Sequence, residues 1–154
     1  MKELTSIELA YMAGYFDADG SVTGYNNKRF GPVLYVLVGS ANLPILEAFK
    51  VAFGGSVTQD AKAGQRRKST PVVARRNAYR WQTKGVKGAQ ALRALLPYLR
   101  HKRPQAELYL EMRGLKGHQY SHGVPEAVMQ RRHEILDEIR ALNHGKYSAT
   151  RVTT

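Results

Sequence analysis

The sequence predicts an α+β fold in the order α-β-β-α-β-β-α, with extra helices at the C-terminal end. Two observations carry this. Strand-like runs come in pairs separated by helical runs, the pattern of an antiparallel sheet with its helices gathered on one face. The chain has 154 residues, no internal repeat and no second copy of its most unusual motif, so a single domain over residues 1–154 with room for one core is expected. One sheet face is then left for solvent or a ligand.

The elements follow in order. Ser6 is placed to cap a first helix over residues 7–16. A strand is expected over 21–25, a turn at Asn26-Asn27-Lys28, and a β-branched and aromatic strand over 33–38. Asn42 is placed to cap a second helix over 43–53, with Pro44 in its first turn and Gly54-Gly55 as its stop. A third strand begins at 56–59, a basic loop occupies 62–71, and a fourth strand covers 72–83. Trp81 in that strand reads as core packing rather than a platform for bases. Helices are expected over 86–96, from about Pro104, and over 125–142, with 143–154 as a polar, frayed tail.

The stretch from Leu9 to Val22 is the odd one. Leu9, Met12, Ala13 and Phe16 recur at helical spacing on one face. Ala10, Ala13 and Gly14 are small enough to let a second backbone approach. Asp17 and Asp19 then fall at the helix end, where the macrodipole disfavours carboxylates by roughly 0.3–1 kcal/mol each, and Gly20 follows as the stop. Two acids against the dipole, beside a close-packing face, suggest a bound positive charge. A calcium loop is excluded, because the position of its closing Glu is Lys28 counted from Asp17 and Phe30 counted from Asp19.

Charge points to a polyanion. The net charge is +12 and the pI about 10.1. Residues 61–106 hold thirteen Lys or Arg and no acid. These fall largely on strand-like segments rather than on a basic amphipathic helix, so no membrane partner is expected. With no Cys there is neither a disulfide framework nor a Cys-based zinc site. His118 and His122 are flanked by Gly117 and Gly123, a poor setting for a helical metal pair. No signal-peptide pattern or long apolar run appears, so the protein is expected to be intracellular and not secreted. Arg outnumbers Lys by fourteen to ten, which hints at a GC-rich prokaryotic cytoplasm or nucleoid more than an organelle.

Residues 12–20, Met-Ala-Gly-Tyr-Phe-Asp-Ala-Asp-Gly, resemble the LAGLIDADG motif at six of nine positions, with Met12, Tyr15 and Phe16 as conservative replacements. The resemblance is to the LAGLIDADG homing endonucleases, in their single-motif, homodimeric, intron-encoded branch. It implies an αββαββα fold whose antiparallel sheet forms a saddle in the DNA major groove. It also implies a Mg²⁺-dependent enzyme that cuts both strands of a pseudo-palindromic site and leaves short 3′ overhangs. Mn²⁺ or Ca²⁺ can replace Mg²⁺ for binding. It further implies that two such helices pack together, here through Ala10, Ala13, Gly14 and Asp17, with the Asp19 carboxylate and Ala18 carbonyl as metal ligands; a direct metal role for Asp17 is the other reading. A basic residue ahead of a late helix matches Lys102. A Gln common in the family after the second strand is missing here, and Ser40 is the best substitute, with Asn42 behind it.

Phosphodiester hydrolysis explains why such residues suffice. Mg²⁺ takes hard oxygens and keeps several waters, so one carboxylate per subunit can serve when phosphates supply the rest. For DNA contact the candidates on the first strand pair are Tyr25, Asn26, Lys28, Arg29 and Tyr35. On the second they are Gln59, Lys62, Arg66, Arg67, Lys68, Arg75, Asn77, Arg80 and Gln82, with Thr58 beside them. Arg suits guanine, and Asn or Gln adenine, in the major groove. Arg113 and Lys116, and Lys146 and Arg151 in the tail, are candidate phosphate clamps. Two other readings stand beside the enzyme. One is a cleavage-deficient relative, an RNA maturase bound to its own intron RNA or a DNA-binding regulator. The other is a general basic nucleic-acid protein, for which the Asp-x-Asp-Gly helix end has no purpose.

Overall fold

In the computed structural model, residues 3–65, 73–115 and 123–145 are described. The elements are α1 (Ser6–Asp19), β1 (Gly20–Asn27), β2 (Gly31–Ser40), α2 (Leu43–Phe53), β3 (Ser56–Ala61), β4 (Ala78–Lys84), α3 (Gly85–Leu95), α4 (Arg103–Gly114) and α5 (Glu126–Asn143). The strands form one antiparallel sheet in the order β1-β2-β4-β3.

α1 differs from its expectation at both ends. Its cap is Thr5, not Ser6: the Thr5 hydroxyl accepts the Glu8 amide, while the Glu8 carboxylate accepts the Thr5 amide. This reciprocal capping box satisfies two donors at once. At the other end the helix runs on through Asp17 and Asp19. Gly20 does not stop it in a left-handed turn, since its φ is −82°. A Cβ at Gly20 would collide with the Phe16 ring and carbonyl. Glycine there lets β1 start directly against the last helical turn.

The core lies between the sheet and the helices. Phe16, Val22, Val36, Val38, Leu46, Phe49, Trp81, Leu92, Tyr109 and Ile135 are among its buried residues. Trp81 is buried as expected; it packs on Phe49 and Phe53 and donates its indole N–H to the Gly54 carbonyl at 2.8 Å. That carbonyl belongs to the Gly54-Gly55 pair, whose φ values of +72° and +87° turn the chain from α2 into β3. α2 has the expected bounds. Asn42, however, makes no side-chain cap; its amide donates to the Ser40 hydroxyl at 3.0 Å instead.

The fourth strand is shorter than expected, beginning at Ala78. Asn77 ahead of it accepts the Ala63 amide at 2.9 Å and so ties the loop rather than extending the strand. α5 docks on α4 through Arg131, which grips both carboxylate oxygens of Glu111 at 2.8 Å and reaches Glu138 at 2.7 Å. At its far end, Asn143 donates to the Val22 carbonyl of β1 and faces the buried Gln105. No described helix is long and apolar enough to cross a membrane. The expected tail and the His118–His122 pair fall mostly or wholly outside the described residues.

Candidate nuclease site and nucleic-acid interface

The C-terminal end of α1 gathers the expected site residues from three parts of the chain. Asp17 and Asp19 have parted in role. One oxygen of Asp17 accepts the Arg100 amide and the other the Lys102 amide, each at 2.8 Å. Asp17 therefore pins the segment entering α4, and with it Lys102, to the end of α1. Lys102 stands at the N-cap position of α4 but makes no side-chain cap. Its ammonium is unspent on any described acid.

Asp19 is exposed and forms no hydrogen bond or ion pair with a described residue. Ala18 beside it is exposed too, and its carbonyl belongs to the last turn, where a helix leaves acceptors unpaired. No three potential ligating side chains cluster among the described residues. Among the described residues, the end of α1 thus offers the Asp19 carboxylate and, as a last-turn acceptor, the Ala18 carbonyl. That set fits Mg²⁺ only as a partial ligand set, completed by water and by groups from outside the protomer.

Ser40 reaches the same end of α1 from the sheet. Its hydroxyl shares a 2.6 Å hydrogen bond with the Tyr15 hydroxyl and also accepts the Asn42 amide. Tyr15 is therefore more than a conservative apolar replacement. It anchors the end of β2 to α1, and this long-range contact has no signature in the local sequence.

The expected interface residues divide. Met12, Ala13 and Phe16 are buried in the protomer's own core, with Leu9 packed against it. Ala13 is fully buried and so is withdrawn from the interface set. Ala10 and Gly14 are exposed, and a Cβ at Gly14 would meet nothing within 4 Å. Ile7 at 80% exposure and Tyr11 at 62% extend their stripe. The positions 7, 10, 11, 14 and 18 follow helical spacing. α1 is thus apolar on two sides, one covered by its own chain and the other bare.

The strand register settles which sheet residues share the open face. Ser21, Thr23 and Tyr25 stand on β1 opposite Leu37, Tyr35 and Val33. Tyr35, Leu37 and Gly39 stand opposite Lys84, Gln82 and Arg80, and Gln82 and Arg80 in turn face Ser56 and Thr58 on β3. Of the candidates, Tyr25, Tyr35, Arg80 and Gln82 lie on this face, and the two tyrosine rings are 6.4 Å apart. Asn26 and Gln59 have the opposite phase, opposite Pro32 and Tyr79, and are exposed only because they lie near strand ends. Lys28 and Arg29 are exposed at the β1–β2 turn, with Arg29 stacked 5.2 Å from the Phe30 centroid. Lys62, Arg75 and Asn77 are exposed in the β3–β4 connection, and Arg113 at the end of α4. Arg66, Arg67, Lys68 and Lys116 lie outside the described residues. Sequence reasoning missed Ser21, Thr23 and Lys84; counting two residues on from Arg80 and Gln82 would have found Lys84.

In the described residues an acidic helix end and a basic second strand pair are set about an antiparallel sheet with one open face, an arrangement of the homing-endonuclease type of α+β fold. The family model of the LAGLIDADG-like domain matches residues 6–82, half of the chain. The chain belongs to the LAGLIDADG family. No curated protein matches it by sequence. Among solved structures it resembles the homing endonuclease I-CvuI in complex with its target and Ca, at 21% identity and a TM-score of 0.65, over 92% of this chain and 85% of that one. It also resembles the archaeal intron-encoded homing endonuclease I-Vdi141I complexed with DNA, at 17% identity and a TM-score of 0.52, over 90% of this chain and 98% of that one. These likenesses establish the LAGLIDADG homing-endonuclease fold over nearly the whole chain.

Proposed function

We propose that the protein is a homodimeric, Mg²⁺-dependent, sequence-specific DNA endonuclease that cuts both strands of a pseudo-palindromic site and leaves short 3′ overhangs. The observation that carries this reading is the division of labour between the two motif acids. Asp17 is consumed by two backbone amides, whereas Asp19 is exposed and, among the described residues, without a partner at a helix end that disfavours it. A carboxylate kept in that state is explained by a cation. The DNA-bound relatives supply the polyanion, and the net charge of +12 agrees with it.

The bare stripe of α1 seats a second copy about a two-fold axis, which brings two Asp19 side chains together, one for each strand. Mg²⁺ bound there supplies Lewis acidity and a lowered water pKa. The chain's own part is to hold and orient: Asp19 and the Ala18 carbonyl would hold the metal, Asp17 fixes the Lys102 segment, and Lys102 would supply a cation to stabilise charge developing on the phosphate. Ca²⁺ or Mn²⁺ can take the same oxygens for binding.

One observation favours a second reading, a cleavage-deficient DNA-binding regulator or a maturase acting on its own intron RNA. Ser40, the best substitute for the Gln common in the family, has its hydroxyl engaged by both Tyr15 and Asn42. A paired assay separates the two. In EDTA, Asp19→Asn should bind duplex DNA as well as wild type or better, because negative charge near phosphates is gone. In Mg²⁺, wild type should cut both strands and Asp19→Asn neither. Equal cutting by both proteins would falsify the metal assignment, and no cutting by either leaves the binder.

A further inference from the structure

Asp60 is the only acidic residue between Glu47 and Glu107. It stands on β3, beside the open face, where a carboxylate repels phosphates. It is not solvated alone: one of its oxygens lies 2.8 Å from an Nη of Arg80, with both side chains about two-fifths exposed or a little less, at 35% and 40%. The sheet aims this pair. The ladder joins Gln59 to Tyr79 and then Ala61 to Ala78, so Asp60 is the extra residue of a β-bulge. Bulges redirect a side chain out of regular alternation. Across the sheet, the neighbours of Arg80 are the short Thr58 and Gly39, which has no side chain at all. Arg80 therefore has open room on the face and one fixed partner at its rim. A guanidinium has five N–H donors, so the contact with Asp60 leaves most of the fork free.

We propose that Asp60 is a specificity-determining positioning residue, holding the Arg80 fork away from phosphate and toward a base pair, so that Arg80 reads guanine through O6 and N7. The assignment rests on the reading of the protein as a double-stranded DNA binder. An unrestrained Arg on a basic surface finds phosphates, which carry no sequence information. A neighbouring carboxylate repels those phosphates and fixes the plane of the fork, as two-pronged recognition of guanine requires. In a two-fold dimer the guanine so read occurs once in each half-site.

The test is selection of binding sites from a randomised duplex library in Ca²⁺, using wild type, Asp60→Asn, Arg80→Ala and the double variant. Wild type should enrich a pseudo-palindrome with guanine at one symmetric pair of positions. Asp60→Asn should lower the preference at that pair alone, on the order of tenfold. Its affinity for random duplex should hold or rise. Its log–log salt slope should steepen by up to about 1.8, two freed arginines contributing roughly 0.9 each. Arg80→Ala should lose the same guanine without steepening, and the double variant should be no worse than Arg80→Ala. Wild-type preferences retained in Asp60→Asn overturn the role. So does a loss spread evenly over the site, which is the mark of a loosened hairpin. Wild type that enriches no sequence overturns specific DNA reading itself, and the role of Asp60 with it.

Discussion

Asp17 Oδ1 accepts the amide hydrogen of Lys102 at 2.8 Å, although the two residues are 85 positions apart. Its other oxygen does the same for Arg100. One carboxylate thus sets the distance between the helix that carries Asp19 and the segment that carries the basic candidate. Asp17→Asn keeps one acceptor and replaces the other with an NH₂ group facing an N–H. We expect a loss of about 1–2 kcal/mol in urea unfolding, the scale of one charged hydrogen bond at a partly exposed site. Cleavage should fall further than binding, because Lys102 moves. A variant as stable and active as wild type would show that the contact positions nothing.

Gly14 gives the cleanest probe of the bare stripe. A side chain there meets nothing in the protomer, and Leu is a better helix former than Gly by about 0.8 kcal/mol. Gly14→Leu should therefore fold with an unchanged far-ultraviolet spectrum yet sediment as a monomer. A variant that sediments as an unchanged dimer places the interface elsewhere.

Gly20 makes the opposite case. Its missing Cβ lies where Phe16 sits. Gly20→Ala should cost about 1–3 kcal/mol through overpacking at the α1–β1 junction, read as a lower denaturant midpoint at unchanged slope. Cleavage should drop as well, since Asp19 is the preceding residue.

The α4–α5 contact should be acid-sensitive. The hydrogen bonds from Arg131 hold the Glu111 carboxyl below its usual value near 4.5, against a smaller opposing effect of burial. A depressed carboxyl contributes stability that is present above the unfolded value and is lost as pH falls through the folded one. Wild type and Glu111→Gln should therefore differ near neutral pH and converge below about pH 4. Because Glu111 is well exposed, the neutral-pH difference should be about 1 kcal/mol or less. A gap that stays constant down to acid pH would assign the effect to packing.

The fold was largely legible because the elements are separated by glycines, prolines and changes of hydrophobic period. α2 matches residue for residue, and the paired strands fall where β-branched runs predict them. The first cap was misplaced by one residue, although Glu8 three positions after Thr5 is the capping-box signal. The end of α1 was missed for a physical reason: Asp17 and Asp19 are poor last-turn residues, and only contacts far away in the chain account for the first. Neither the two amides on Asp17 nor the Tyr15–Ser40 pair leaves a local trace. The motif marks both acids as candidates, while long-range hydrogen bonds engage Asp17 and leave Asp19 without a partner among the described residues. Strand register was undecidable from composition, since polar residues occupy both phases near the strand ends.

The sheet order β1-β2-β4-β3 leaves two open margins, and unpaired strand margins are templates for runaway self-assembly. Each is blunted differently. β3 is short and carries its bulge at Asp60. β1 is longer, but its Val22 carbonyl already holds the Asn143 side chain from the end of α5. The last helix, part of the core, thus also occupies one acceptor of this margin. A chain shortened before Asn143 should first betray itself as turbidity during expression, with the sheet itself still able to form.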